Sequence, residues 1–345
     1  MHQNITLNHQ TNMQLLSLTG IRGLAALYVM LYHFTYGRTF FLWNGYIGVD
    51  LFFILSGYIL SLVYADKFIQ RSDDLLYLSF LKHRFARVYP VYFLALVIMV
   101  SINIYSSNVI DLHKISTNIF LMQGLLGDSL VVASWSLSIE LVAYFLFPII
   151  IYSVTKNITT IIITIATCLF LVNFITYYND HQSSGPLDIY RNPLSLIRGL
   201  ADFMIGVGMY TLSKKDMLPT LRRKHASDYI IVLIILVLAC KGLDVICIVL
   251  FSMLIFSLHN SESYTKRILS LRPVVYLGDI SLSMYLLHPI IFLNFGKDIR
   301  EIVSQCTTTT NNSMSIIFFV LTLSISMFTY HFLEVPCKKI LRRKL

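Results

Sequence analysis

The chain has 345 residues, 56% hydrophobic and 13% charged, with a mean hydropathy of +0.69. That is too apolar for a soluble domain of this length, so lipid is its solvent. Its net charge of +9 sits between the apolar runs rather than on one face, which excludes a nucleic-acid binder and reads as membrane orientation.

Hydrocarbon satisfies no backbone N–H or C=O group, and the apolar runs are continuous rather than alternating. They predict an all-α, multi-pass integral membrane protein rather than a barrel. At about 20 residues per span, about ten transmembrane helices are expected. They lie at Leu18 to Tyr36, Gly45 to Tyr64, Phe85 to Ser106, Ser134 to Val154, Ile158 to Tyr178, Pro193 to Leu212, Asp228 to Cys240, Leu243 to Leu258, Val274 to Phe295 and Ser313 to Leu333. The hairpin around Cys240 is short. Ser116 to Leu126 is too short to cross and reads as re-entrant or interfacial.

Placing both termini in the cytoplasm puts 19 of the 27 Lys and Arg inside and six outside, with Arg22 and Arg198 within spans. No Lys or Arg precedes Arg22 and no small-residue cleavage site follows the first run, so the first helix is expected to stay in the mature protein. The five cysteines have neither CxxC spacing nor a shared loop, which predicts no disulfide framework and no metal site. One membrane domain, 1–345, with no appended soluble domain, is expected.

Ionisable groups at mid-membrane cost about 2.5–3.5 kcal/mol each, so those that persist mark function. In the first run, GIRGLAALYVMLYHF, Arg22 and His33 are eleven residues apart and share a helix face, projecting into one cavity at different depths. Snorkelling alone would also account for Arg22. The second, GYIGVDLFFILSGYIL, places Asp50 near the outer surface, where it can pair with or orient a histidine, and small residues where another helix can approach. RFARVYP puts Arg84 and Arg87 on one face at the cytoplasmic mouth, suited to phosphates, though topology alone also predicts arginines there. SWSLSIE buries Glu140 and leaves Trp135 as belt material. ISLSMYLLHP sets Ser281, Tyr285 and His288 on one face, with Pro289 expected to kink the helix.

In order from Gly20 to Pro336, the Arg/His pair, GVDLFFILSGY, RFARVYP, WSLSIE, the S-x-S-x-Y-L-x-H pattern and Glu334-Val335-Pro336 resemble the membrane-bound acyltransferase-3 family. Ala143 and Leu282 depart from residues common there. The resemblance implies an integral membrane O-acyltransferase of the bacterial inner membrane. It would move an acyl group, usually acetyl, from cytoplasmic acyl-coenzyme A to a hydroxyl of an exported or lipid-linked surface polysaccharide such as O-antigen. No permanently bound cofactor is expected. Arg84 and Arg87 would hold the coenzyme A phosphates. His33 would be the general base or a covalent acyl carrier, Glu140 or Asp50 would fix its tautomer, and Arg22 or Tyr285 would stabilise the oxyanion. His288 is the second candidate histidine. A small secreted metabolite as acceptor, or a non-enzymatic transporter built on the same buried charges, are the alternatives. The transporter reading lacks the paired interrupted helices of an inverted repeat.

Overall fold

The computed structural model describes residues 2–35, 41–70, 73–107, 109–179, 187–189, 193–306 and 311–343, and within these it contains helices and no strand. Sixteen α-helices follow one another. The first eight are α1 (His2–Thr35), α2 (Gly48–Gln70), α3 (Asp74–Tyr105), α4 (Leu112–Ile119), α5 (Gln123–Leu126), α6 (Trp135–Val154), α7 (Ile158–Asn179) and α8 (Pro193–Lys214). The rest are α9 (Ala226–Leu238), α10 (Asp244–Asn260), α11 (Tyr264–Leu269), α12 (Arg272–Asp279), α13 (Ser281–Asn294), α14 (Gly296–Cys306), α15 (Asn311–Thr329) and α16 (Val335–Arg343), with a π-helical turn, Tyr330–Glu334, before the last. Six helical stretches are long and apolar enough to cross a membrane, and α12 with α13 would make a seventh. α9 and α10 are shorter apolar helices. The protein is a multi-pass membrane protein.

Two corrections concern the ninth expected span. The chain bends by 62° between α12 and α13, at Ile280. Pro289 instead lies inside a continuous α13. The bend belongs where Gly278 meets the backbone of α1, since a Cβ there would stand 2.0 Å from the Thr19 carbonyl oxygen.

The most extensive helix contact among the described residues joins α2 to α8. A Cβ on Gly57 would lie 2.0 Å from the Phe203 carbonyl oxygen, and one on Gly206 would lie 2.0 Å from that of Ile54. Only bare backbone fits at such a crossing, which is how membrane helices gain packing energy without a hydrophobic drive. Ion pairs lie on both sides of it, Asp50 with Arg198 and Asp66 with Lys214, each pair 148 residues apart in sequence. A constant offset means that α2 and α8 run parallel. An odd number of crossings must then separate them; α3, α6 and α7 supply three. α4 and α5 therefore add none, in keeping with the re-entrant or interfacial reading of 116–126. They fold back onto α3 and α6: Tyr92 donates to the Asn118 carbonyl at 2.6 Å, and Gln123 donates to Ser134 Oγ at 2.9 Å.

α1 and α13 also run parallel. Arg22 lies against Ser281 at 3.1 Å, and His33 lies against His288 further along both helices.

Overpacking a core costs about 1–3 kcal/mol, and more when the obstacle is backbone. Gly206→Leu is expected to lower the melting temperature and the membrane yield of the solubilised protein by the equivalent of about 3 kcal/mol. Gly296→Ala, whose Cβ would meet only the Phe318 ring at 3.6 Å, should change neither. Equal behaviour of the two variants would mean that the α2–α8 seam is not this close.

Candidate active site

The parallel pair α1 and α13 builds the centre of the site. His33 Nδ1 is 2.8 Å from the Val29 carbonyl oxygen, and His288 Nδ1 is 3.1 Å from that of Met284. A carbonyl only accepts, so both Nδ1 atoms carry the proton. His288 Nε2 then accepts from His33 Nδ1 at 3.3 Å, the ring centroids being 5.0 Å apart. This leaves His33 Nε2 as the lone-pair nitrogen of the pair. Two histidines held by backbone carbonyls one turn back are set in tautomer by the helices themselves.

Both histidines line a cavity of about 380 Å³ whose other walls include Tyr46, Trp135, Asp188, Arg198 and Tyr285. A second, narrower cavity of about 100 Å³ lies on the other side of Tyr285 and is lined by Arg22, Arg84, Arg87, Ser136, Glu140 and Ser281. Tyr285 and Val49 belong to both walls. A third space of about 350 Å³ shares Arg22, Arg84, Arg87 and Ser281 with the second and adds His83, Asp279, Glu334 and Lys338. The three form one series, arginine-rich at one end and histidine-containing at the other.

The Ser281, Tyr285 and His288 stripe runs the length of that series. Ser281 meets Arg22, the Tyr285 hydroxyl meets Ser136 Oγ at 3.0 Å, and His288 meets His33. In the arginine-rich end, Arg84 Nε is buried without a hydrogen-bond partner. The π-helical turn carries Glu334 inward, where its carboxylate accepts from Lys338 at 2.8 Å and from Ser283 at 3.3 Å.

Several expectations are corrected here. Arg22 and His33 do not share one cavity: Arg22 is tied to the Gly278 carbonyl at 2.6 Å on the arginine side of Tyr285, while His33 lies beyond it. A rise of about 16 Å along the helix leaves room for the wall between them. Asp50 does not orient a histidine. Its two oxygens accept from Arg198 Nε and Nη2 at 2.6 and 2.5 Å, both residues being almost wholly buried. Glu140 does not reach a histidine either, since its Oε1 accepts from Tyr144 at 2.5 Å and Ser56 at 3.0 Å. Trp135 is not belt material: it is 7% exposed, packs on Phe53 and lies 5.7 Å from the Arg198 guanidinium. Arg198, counted above only as a charge within a span, is the residue that reading missed. A buried arginine whose loss of hydration would cost several kcal/mol was the available signal.

A multi-helix membrane protein that holds histidines, guanidinium groups and carboxylates around adjoining internal cavities has a functional site within the membrane. A family model described as an acyltransferase domain matches residues 15–331. The chain belongs to that acyltransferase family, the one its motifs resemble. Among curated relatives, "O-acetyltransferase OatA" of Staphylococcus aureus is 26% identical over 93% of this chain and 57% of its own length. "Protein 2 in picA locus" of Rhizobium radiobacter is 44% identical over 24% of this chain and 42% of its own. "Peptidoglycan O-acetyltransferase OatA" of Listeria monocytogenes is 31% identical over 26% of this chain and 14% of its own. The chain thus spans about half the length of the first two. No solved structure matches it.

The tautomers can be checked by chemistry. Diethyl pyrocarbonate attacks an unprotonated imidazole nitrogen, so His33 should be carbethoxylated well before the 1%-exposed His288, read by peptide mass spectrometry. In His33→Gln, His288 should gain reactivity. Faster labelling of His288 in the unaltered protein would reverse the assignment.

Proposed function

We propose that the protein is an integral membrane O-acetyltransferase that moves an acetyl group from cytoplasmic acetyl-coenzyme A to a hydroxyl of an exported or lipid-linked surface polysaccharide. The series of cavities that passes from arginines to histidines through the Tyr285 wall supports this reading most directly. The names of the relatives point the same way.

The protein is taken to lie in the bacterial plasma membrane with ten spans and both termini cytoplasmic. The 19 to 6 distribution of basic residues supports that orientation, as do the parallel pairs α1/α13 and α2/α8. The arginine-rich end then faces the cytoplasm. Arg84 and Arg87, one turn apart on α3, take the coenzyme A phosphates, with Arg22 and Lys338 on the same walls. The thioester arm extends through the narrow cavity and presents the acetyl group at Tyr285, the residue shared with the histidine cavity. The acceptor enters the histidine cavity from the outer side. There His33 Nε2, the nitrogen with the free lone pair, removes the proton from the attacking hydroxyl. His288 holds the His33 ring in place.

Replacing His33 tests the base. General base catalysis is worth about 10²–10⁴ in rate. His33→Gln keeps the hydrogen bond to Val29 but takes up no proton at neutral pH, so it should abolish acetylation of surface polysaccharide, measured as alkali-labile acetate, at normal protein level. Near-normal acetylation by His33→Gln would return the histidine to packing.

The donor site is tested separately. Arg84→Ala with Arg87→Ala should raise KM for acetyl-coenzyme A more than it lowers kcat, because contacts to remote phosphates are made equally in ground and transition states. Unchanged KM in a correctly inserted protein would leave the two arginines as topology signals only.

A further inference from the structure

Among the described residues Arg198 is the largest fully buried side chain, at 1% exposure, and neither the donor site nor the base uses it. It lines the same cavity as His33 and His288. Its guanidinium donates twice to Asp50 and once to the Ile189 carbonyl at 3.2 Å. Trp135 lies beside it, also on the cavity wall.

Asp202, one turn further along α8, is fully buried as well, and both its oxygens lack a donor. It stands next to Asp50 and Arg198. Joining α2 to α8 needs far less than this. The glycine seam sets the helix approach, Asp66 and Lys214 pair at the far end, and one buried carboxylate would suffice to balance one arginine. The fork to Asp50 and the bond to the Ile189 carbonyl hold the guanidinium plane in a single orientation at the edge of the histidine cavity, and Asp202 adds a second buried carboxylate beside them.

We propose that Arg198 is a catalytic residue of the histidine cavity, donating to the oxygen of the thioester carbonyl as charge develops there, with Asp50 as its positioning residue and the Asp202 carboxylate acting on it through the local field. The inference rests on the acetyl-transfer reading above. The acceptor oxygen forms a bond to the thioester carbon while His33 Nε2 takes its proton, and the carbonyl π pair moves to oxygen beside Arg198. That pair returns, the C–S bond breaks, and the coenzyme A sulfur leaves with the proton from His33. Donors fixed in advance need no reorganisation at the moment of reaction, which is what makes such stabilisation effective. Of the two groups expected from sequence, Arg22 lines the spaces on the arginine side and not the histidine cavity, and the Tyr285 hydroxyl meets Ser136.

The test uses the full chain in lipid nanodiscs, with acetyl-coenzyme A as donor and polysaccharide extracted from cells lacking the gene as acceptor. Arg198→Lys keeps the charge but not the bidentate fork. It should lower kcat by about 10²–10³, the usual loss of an oxyanion donor, with KM for acetyl-coenzyme A within about twofold of the unaltered protein. Asp202→Asn should lower kcat by a smaller factor, again without moving KM. Because a buried charge left alone threatens folding, the deciding variant is Asp50→Asn with Arg198→Gln, which removes both charges together. If it inserts normally and has lost kcat as Arg198→Lys has, Arg198 acts in the reaction. If it retains kcat within about threefold, or fails to insert at all, the pair serves structure and the proposal falls. Absence of acetylation by the unaltered chain would instead overturn the acetyl-transfer reading.

Discussion

The fold depends on a single arrangement, in which two helices carrying opposite charges lie so close that only glycine separates their backbones. Asp50 and Arg198 are held in an interior where neither can be hydrated, so each is tolerable only because the other is there. Removing one partner of such a pair costs about 3–5 kcal/mol. The Gly57 and Gly206 crossing brings the helices within reach, and the pair sets their register. Parallel α2 and α8 then dictate the direction of everything between them and make the 112–126 segment fold back rather than cross.

Against that frame the site is assembled from a second parallel pair, α1 and α13. One face of α13 presents a serine, a tyrosine and a histidine at successive depths. Each meets a different partner, so a single helix stripe connects the arginine-rich space to the histidine cavity. Carbonyls of α1 and α13 accept from Nδ1–H of both histidines and so fix their tautomer, and no carboxylate is needed to do it. That frees Asp50 for Arg198 and leaves Glu140 bound by Tyr144 and Ser56 beside the arginines. Tyr285 thus divides the polar groups into an arginine-rich side and a histidine side.

Much of this was readable in the chain itself. Apolar runs longer than 17 residues in lipid admit only helices, so the helical class and the approximate helix positions followed from composition and spacing. His33, His288, Tyr285, Arg22, Arg84 and Arg87 were recognisable as cavity-lining groups because ionisable or polar side chains at mid-membrane are too costly to persist without a purpose. The three-turn spacing of Arg22 and His33 also gave their common helix face correctly.

What spacing along one helix did not contain was the partner on another. Asp50 looked available to a histidine because sequence lists no distances across 148 residues, and only the packing of α2 on α8 assigned it to Arg198. Glu140 and Trp135 were misjudged for the same reason. The bend at Ile280 escaped notice because Pro289 is a visible local signal, whereas the contact of Gly278 with Thr19 is not. The sequence by itself determined the solvent, the helices and which residues were too expensive to be idle, since those are local free energies of transfer. Tertiary structure alone decided which of these residues meet and on which side of Tyr285 they act, since pairing in a low-dielectric interior is settled by helix packing.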